Sequence, residues 1–190
     1  MYKYANYKYN GKYLNNLGDH IQILAIDELY KKMGLNIEDL VYIDMEDLAT
    51  YNGVKVKLPV AFPLLRYNDN GIAGMFSSNI EPVFIAVTIA KWFLEEEEVR
   101  YLKKYQPIGC RDEHTYNLLC SYDIDAYLNG CLTITLPKRK KRSTQNKIYC
   151  IDISDELKNK LPNEIKDNAI FLSNTVNGQL NDATNFAEAR

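Results

Sequence analysis

Apolar residues recur along this chain in two alternating rhythms, short runs at strand spacing and longer stretches at helical spacing. At the start Tyr2, Tyr4, Tyr7, Tyr9 and Tyr13 interleave with lysine. That period-two pattern predicts a half-solvated strand with a phase slip at Ala5 and Asn6. Ile21, Leu24, Ala25 and Leu29 then follow helical spacing as far as Met33, where Gly34 supplies a stop. Residues 41–43 and 54–58 read as short strands separated by the acidic turn 44–47, and residues 59–74 as loop. The apolar run 83–87 behind Pro82 suits a strand covered on both faces, as parallel sheets require, and is the expected central strand.

In the second half, Glu95 to Glu98 precede Arg100, Lys103 and Lys104, a charge order that complements a helix macrodipole and predicts a solvated helix. Residues 108–110 form a short expected strand, and Asp112 can cap a helix running through Leu118 and Leu119 to Tyr122. Residues 126–128 and 132–136 continue as strands. Beyond the basic loop Lys138-Arg139-Lys140-Lys141-Arg142, residues 148–153 read as strand, and Ser154 and Asp155 cap a helix ending near Leu161 and Pro162. One short strand follows from Ile170, and residues 186–190 resemble the start of a helix. Repeated β–α units predict an α/β fold, a Rossmann-like parallel sheet with helices on both faces. Residues 1–165 are the expected domain and 166–190 a tail or the start of an incomplete second one.

Composition narrows the function classes. A formal charge of −2 over 190 residues creates no general field toward nucleic acid, so no nucleic-acid partner is expected, and the basic loop is read as solvated. No apolar run approaches the roughly 18 residues of a spanning helix and no signal-peptide stretch opens the chain, which predicts a cytoplasmic protein without a membrane span. Cys110, Cys120, Cys131 and Cys150 lack C-x-x-C spacing and only His20 and His114 could assist them, so no metal site is expected and four buried, reduced thiols are. The G-x-S-x-G, P-loop and G-x-G-x-x-G patterns are missing, which removes their enzyme classes.

Two segments would lie beyond strand ends, where open α/β sheets bind ligands. In Gly18-Asp19-His20-Ile21-Gln22, glycine permits close approach and the helix start offers free N–H groups; the plainer reading makes Asp19 a cap and His20 a surface residue. In the second segment, Arg111 follows a buried strand, where its guanidinium could grip a carboxylate or phosphate through paired hydrogen bonds. The alternative there is a structural ion pair with Asp112 or Glu113.

Three stretches together resemble the polysaccharide pyruvyl transferase family: residues 16–22, residues 80–85, and Pro107-Ile108-Gly109-Cys110-Arg111-Asp112-Glu113-His114-Thr115 leading to Gly130-Cys131-Leu132-Thr133-Ile134-Thr135-Leu136. The resemblance implies the N-terminal half of a two-domain GT-B-type enzyme that transfers pyruvate from phosphoenolpyruvate, without a cofactor, to a sugar of a surface polysaccharide. It assigns Arg111 to the catalytic cleft as an anion contact, and Gly18, Asp19, Gln22, Asp112 and Thr115 to substrate binding. The family's second half carries an Arg-Leu-His segment that has no counterpart in these 190 residues. The chain is therefore expected to be incomplete and inactive alone, with a homo-oligomer possible. A glycosyltransferase-like enzyme using another donor and a non-catalytic carbohydrate-binding or assembly domain, which the tyrosine-rich start would suit, are the alternatives.

Overall fold

The computed structural model describes residues 2–8, 17–64, 71–138 and 148–173. By its contacts the chain forms two units, Met1–Asn10 with Ile21–Leu136, and Gly11–His20 with Pro137–Arg190.

The first unit is built on β1 (Lys3–Lys8), α1 (Leu17–Lys32) from Ile21 onward, β2 (Val41–Asp44), β3 (Val56–Val60), β4 (Pro63–Leu64), β5 (Ile80–Phe84), β6 (Thr88–Ile89), α2 (Glu96–Lys104), β7 (Ile108–Cys110), α3 (Glu113–Cys120) and β8 (Ala126–Leu128). Every strand pairing is parallel. Strands β2-β1-β3-β5 form one sheet, β4 and β6 extend the β3–β5 pair, and a Val87–Cys110 bridge joins the β7–β8 pair to this series. The α/β, Rossmann-like parallel arrangement expected from the sequence is thus present.

Strand β1 is an inner strand, between β2 and β3, and its centre explains the tyrosine pattern. Ala5, Asn6 and Tyr7 are all buried, so the strand runs straight through the expected phase slip. Burial on successive residues means that both faces are covered. Asn6 meets α1, its amide donating to the Ile23 carbonyl at 3.0 Å and to Asp27 at 2.7 Å. Tyr42 of β2 reaches the same Asp27 carboxylate at 3.0 Å. Tyr30 of α1 donates to the Ala5 carbonyl. On the opposite face Tyr7 packs edge-on against Phe62 and donates to the Pro59 carbonyl. The bonds from Asn6, Tyr30 and Tyr42, each contributing about 1 kcal/mol net where buried, fix α1 against β1 and β2. Tyr2 and Tyr4 remain exposed, whereas Tyr7 belongs to the core; Tyr9 and Tyr13 lie outside the described residues.

Four other expectations are corrected. The strand expected at 83–87 is Ile80–Phe84, with Val83 exposed, a bend at Ile85 and Ala86, and the pairing resumed at Val87. Pro82 is tolerated inside it because Ile85 donates to Val60, so by alternation the Pro82 nitrogen faces away from β3. Strand β3 extends into the expected loop, and Leu64 and Ile72 of that stretch are core residues. Helix α2 is not fully solvated, since Glu98 sits one turn before the buried Leu102 and is buried beside it. Residues 132–135 form a 3₁₀ turn instead of a strand, with Leu132 buried, Ile134 exposed and the Thr135 hydroxyl returning to the Leu132 carbonyl at 2.8 Å.

In the second unit, β9 (Ile148–Ile151), α4 (Asp155–Lys160), α5 (Asn163–Lys166) and β10 (Ala169–Leu172) make a parallel crossover, with β9 and β10 paired throughout. Ser154 caps α4 by accepting from the Leu157 N–H. Ile148, Tyr149, Ile151 and Leu172 are exposed on this pair. The basic run beyond Lys138 and the helix start at 186–190 lie outside the described residues.

Candidate functional site

The end of β7 is held by a close backbone approach. A Cβ on Gly109 would stand 2.6 Å from the Ile85 carbonyl oxygen and 2.9 Å from the Ile85 Cα, a separation only glycine allows. This places β7 against the bend after β5, where Val87 donates to the Gly109 carbonyl at 2.9 Å and Arg111 donates to the Val87 carbonyl at 2.8 Å. Arg111 is therefore fixed by its backbone at the carboxyl edge of the sheet.

The next residue anchors that turn. Asp112 caps α3, accepting from the Thr115 N–H at 2.8 Å, from the Thr88 hydroxyl at 2.7 Å and from the Thr115 hydroxyl at 3.2 Å. The Thr115 hydroxyl also accepts from the Ile89 N–H, and the residue is fully buried. Desolvation opposes ionisation of Asp112, but these hydrogen bonds and the nearby His114 outweigh it and hold the carboxyl below its ordinary range. Its oxygens are thus occupied by the turn, and the expected alternative of an Arg111–Asp112 or Arg111–Glu113 ion pair is not formed.

From the neighbouring strand comes a residue that sequence reasoning did not single out. After β8, Asn129 and Gly130 donate backbone N–H bonds to the Cys110 carbonyl, and the Asn129 side chain donates to the Ile85 carbonyl. Gly130 has φ of +75°, a left-handed turn that sends Cys131 back toward Arg111. The Cys131 sulfur lies 3.1 Å from the Thr133 hydroxyl and within the field of the Arg111 guanidinium. Burial would raise this thiol, but the Thr133 contacts and the Arg111 charge prevail and hold it below its ordinary value. Arg111 and Cys131 are both half-buried. Iodoacetamide should accordingly label Cys131, with a pH profile that moves upward in Arg111→Ala; superimposable profiles for the two proteins would disprove the coupling. Cys110, whose thiol burial pushes up to about 12, should stay unlabelled until the protein is unfolded.

The remaining expected residues lie on α1. Gly18 and Asp19 are in its first turn, which groups with the second unit, while Gln22 groups with the first and is buried. The structure thus brings Arg111, Asp112 and Thr115 together with Thr88 and Cys131, and does not unite Gly18 and Asp19 with them in one unit. All four cysteines are free, but only Cys110 is buried; Cys120 is exposed and the other two are half-buried. Among the described residues no group of three or more His, Cys, Asp or Glu could hold a metal ion, and no helix is long and apolar enough to cross a membrane.

These features define the class: a Rossmann-like α/β protein carrying, at the carboxyl edge of its parallel sheet, a guanidinium that no carboxylate of the described residues neutralises. The family model of polysaccharide pyruvyl transferases matches residues 16–190, and the chain belongs to that family. No curated protein and no solved structure matches it. Membership makes it a member of a transferase family of polysaccharide biosynthesis, whose chemistry calls for a sugar acceptor.

Proposed function

We propose that this chain supplies the Arg111 side of a pyruvyl transfer site that uses phosphoenolpyruvate as donor and a polysaccharide sugar as acceptor. The observation that supports it is the half-buried Arg111, which has no carboxylate partner among the described residues and keeps N–H donors for an incoming phosphate or carboxylate. Phosphoenolpyruvate presents both groups. In the transfer, a proton goes to the terminal enol carbon, a sugar hydroxyl adds to the central carbon and phosphate leaves; a second hydroxyl closes the ketal. Arg111 would hold the anion and stabilise charge on the departing phosphate.

Asp112 and Thr115 enter this proposal as the residues that hold the turn under Arg111, given that their polar groups bond Thr88, Ile89 and each other. Gly18, Asp19 and Gln22 are assigned to the acceptor side. The first unit would correspond to the N-terminal half of a GT-B arrangement, and a cytoplasmic location would follow from the donor's metabolic pool. Titration calorimetry of the chain with phosphoenolpyruvate tests the reading. Saturable binding, displaced by inorganic phosphate but not by a nucleoside-diphosphate sugar, is expected. Binding of the nucleotide sugar in preference would transfer the site to a different donor class.

A further inference from the structure

We propose that Asp44 is a sugar-binding residue, its free carboxylate oxygen accepting a hydroxyl of the acceptor, with the side-chain oxygen of Gln22 as a second acceptor nearby. Asp44 ends β2 and stands in register with Lys8, the last residue of β1, so it lies at the carboxyl edge of the sheet. The order of strands reverses there, because β1 leads through α1 to β2 on one side while β3 lies on the other. In such sheets the crevice at the reversal takes ligands, and in dinucleotide-binding members an acidic side chain there accepts from a ribose hydroxyl, a precedent for a carboxylate meeting a sugar.

Tyr42 reaches Asp27 of α1, and alternate residues of a strand share a face, so Asp44 emerges on the α1 side. Two strand residues advance about 7 Å, the rise of roughly four to five helical residues. Because α1 runs back against the strands, that step leads from Asp27 to the neighbourhood of Gln22 and Ile23. Both side chains are more than nine-tenths buried, Asp44 at 5% exposure and Gln22 at 6%. One Asp44 oxygen accepts from the Glu46 N–H at 3.1 Å; the other, and the Gln22 side-chain oxygen, have no hydrogen-bond partner.

Buried oxygens are almost always paired, so two left open at a ligand edge mark where a donor belongs. Both atoms only accept, which excludes an anion. One free carboxylate oxygen and one amide oxygen are too few hard ligands for calcium or magnesium, and they suit hydroxyl groups. The sugar-modifying family supplies a ligand rich in them. The inference rests on the reading of the chain as a sugar-modifying transferase, not on the identity of its donor.

Asp44→Asn isolates the free oxygen. The amide oxygen must turn to the Glu46 N–H to keep that bond, leaving an NH₂ where the open acceptor stood. The unligated variant should melt no lower than the wild type, since no native bond is lost. Saturation-transfer NMR with the methyl pyranosides of galactose, glucose and mannose should show binding to the wild-type chain and about tenfold weaker binding to the variant, the scale of one hydrogen bond to a charged group. Gln22→Leu should weaken it less. A clearly lower melting temperature for Asp44→Asn would reveal a structural partner and overturn the proposal, as would glycoside binding equal to wild type or none to the wild type. Phosphoenolpyruvate titrations, which report on Arg111, should be the same in both proteins. Loss of that binding in the wild type would remove the donor assignment and leave this one standing.

Discussion

Arg111→Ala should weaken phosphoenolpyruvate binding by about 100-fold, roughly the 3 kcal/mol lost when one partner of a hydrogen-bonded charge pair is truncated. The guanidinium has no carboxylate to release among the described residues, so the incoming anion does not compete with an internal one. Arg111→Lys keeps the charge but loses the planar pair of donors, and should fall between alanine and wild type. Neither change should cost much stability, because the side chain contributes a contact with a half-buried thiol and no ion pair. Calorimetry and thermal melting on the same samples separate the possibilities. A large drop in melting temperature with unchanged binding would make Arg111 a structural residue and remove the basis of the proposed function.

Gly109→Ala should be the most destabilising single substitution around this site, at about 3 kcal/mol, the upper end for overpacking. The new methyl would meet backbone atoms of Ile85 at 2.6 to 2.9 Å, and backbone cannot turn aside as a long side chain can. Relief requires β7 or the bend after β5 to move, and Arg111, held by its own N–H bond to Val87, would move with it. Urea unfolding should therefore show a lower midpoint, and phosphoenolpyruvate binding should weaken in the same protein. Wild-type stability would mean that the bend yields freely and that the approach does not set the site.

Local patterns were legible where their partners are also local. The Asp112 cap is satisfied three residues away by Thr115, and the strand before it and the helix after it lie as expected. The motif from Pro107 to Leu136 also carried the family, which the match over residues 16–190 establishes. Reading failed where a distant partner decides. Asn6 looks like an interruption of a tyrosine strand, yet its bonds run to Ile23 and Asp27, 17 and 21 residues away. Glu98 belongs by composition to a solvated acidic face, and only the packing of Leu102 on its own helix face reveals its burial. Residues 132–136 alternate like a strand, but a strand is made by a neighbour's ladder, and among the described residues this segment pairs with none. The meeting of Cys131 with Arg111 depends on the parallel register of β7 and β8 and on the turn at Gly130, neither of which spacing encodes.

The Ile85 carbonyl has a role beyond its own turn. It is approached by Gly109 of one strand and receives the Asn129 side chain from beyond the next, so a single peptide sets the reach of two loops that follow in the chain. Inserting or deleting one residue between Phe84 and Val87 would shift that peptide off both and exchange the faces of Val87 to Ile89, where the pairing resumes. Length variation among relatives should therefore accumulate elsewhere, and this short bend should keep a constant number of residues even where its side chains drift.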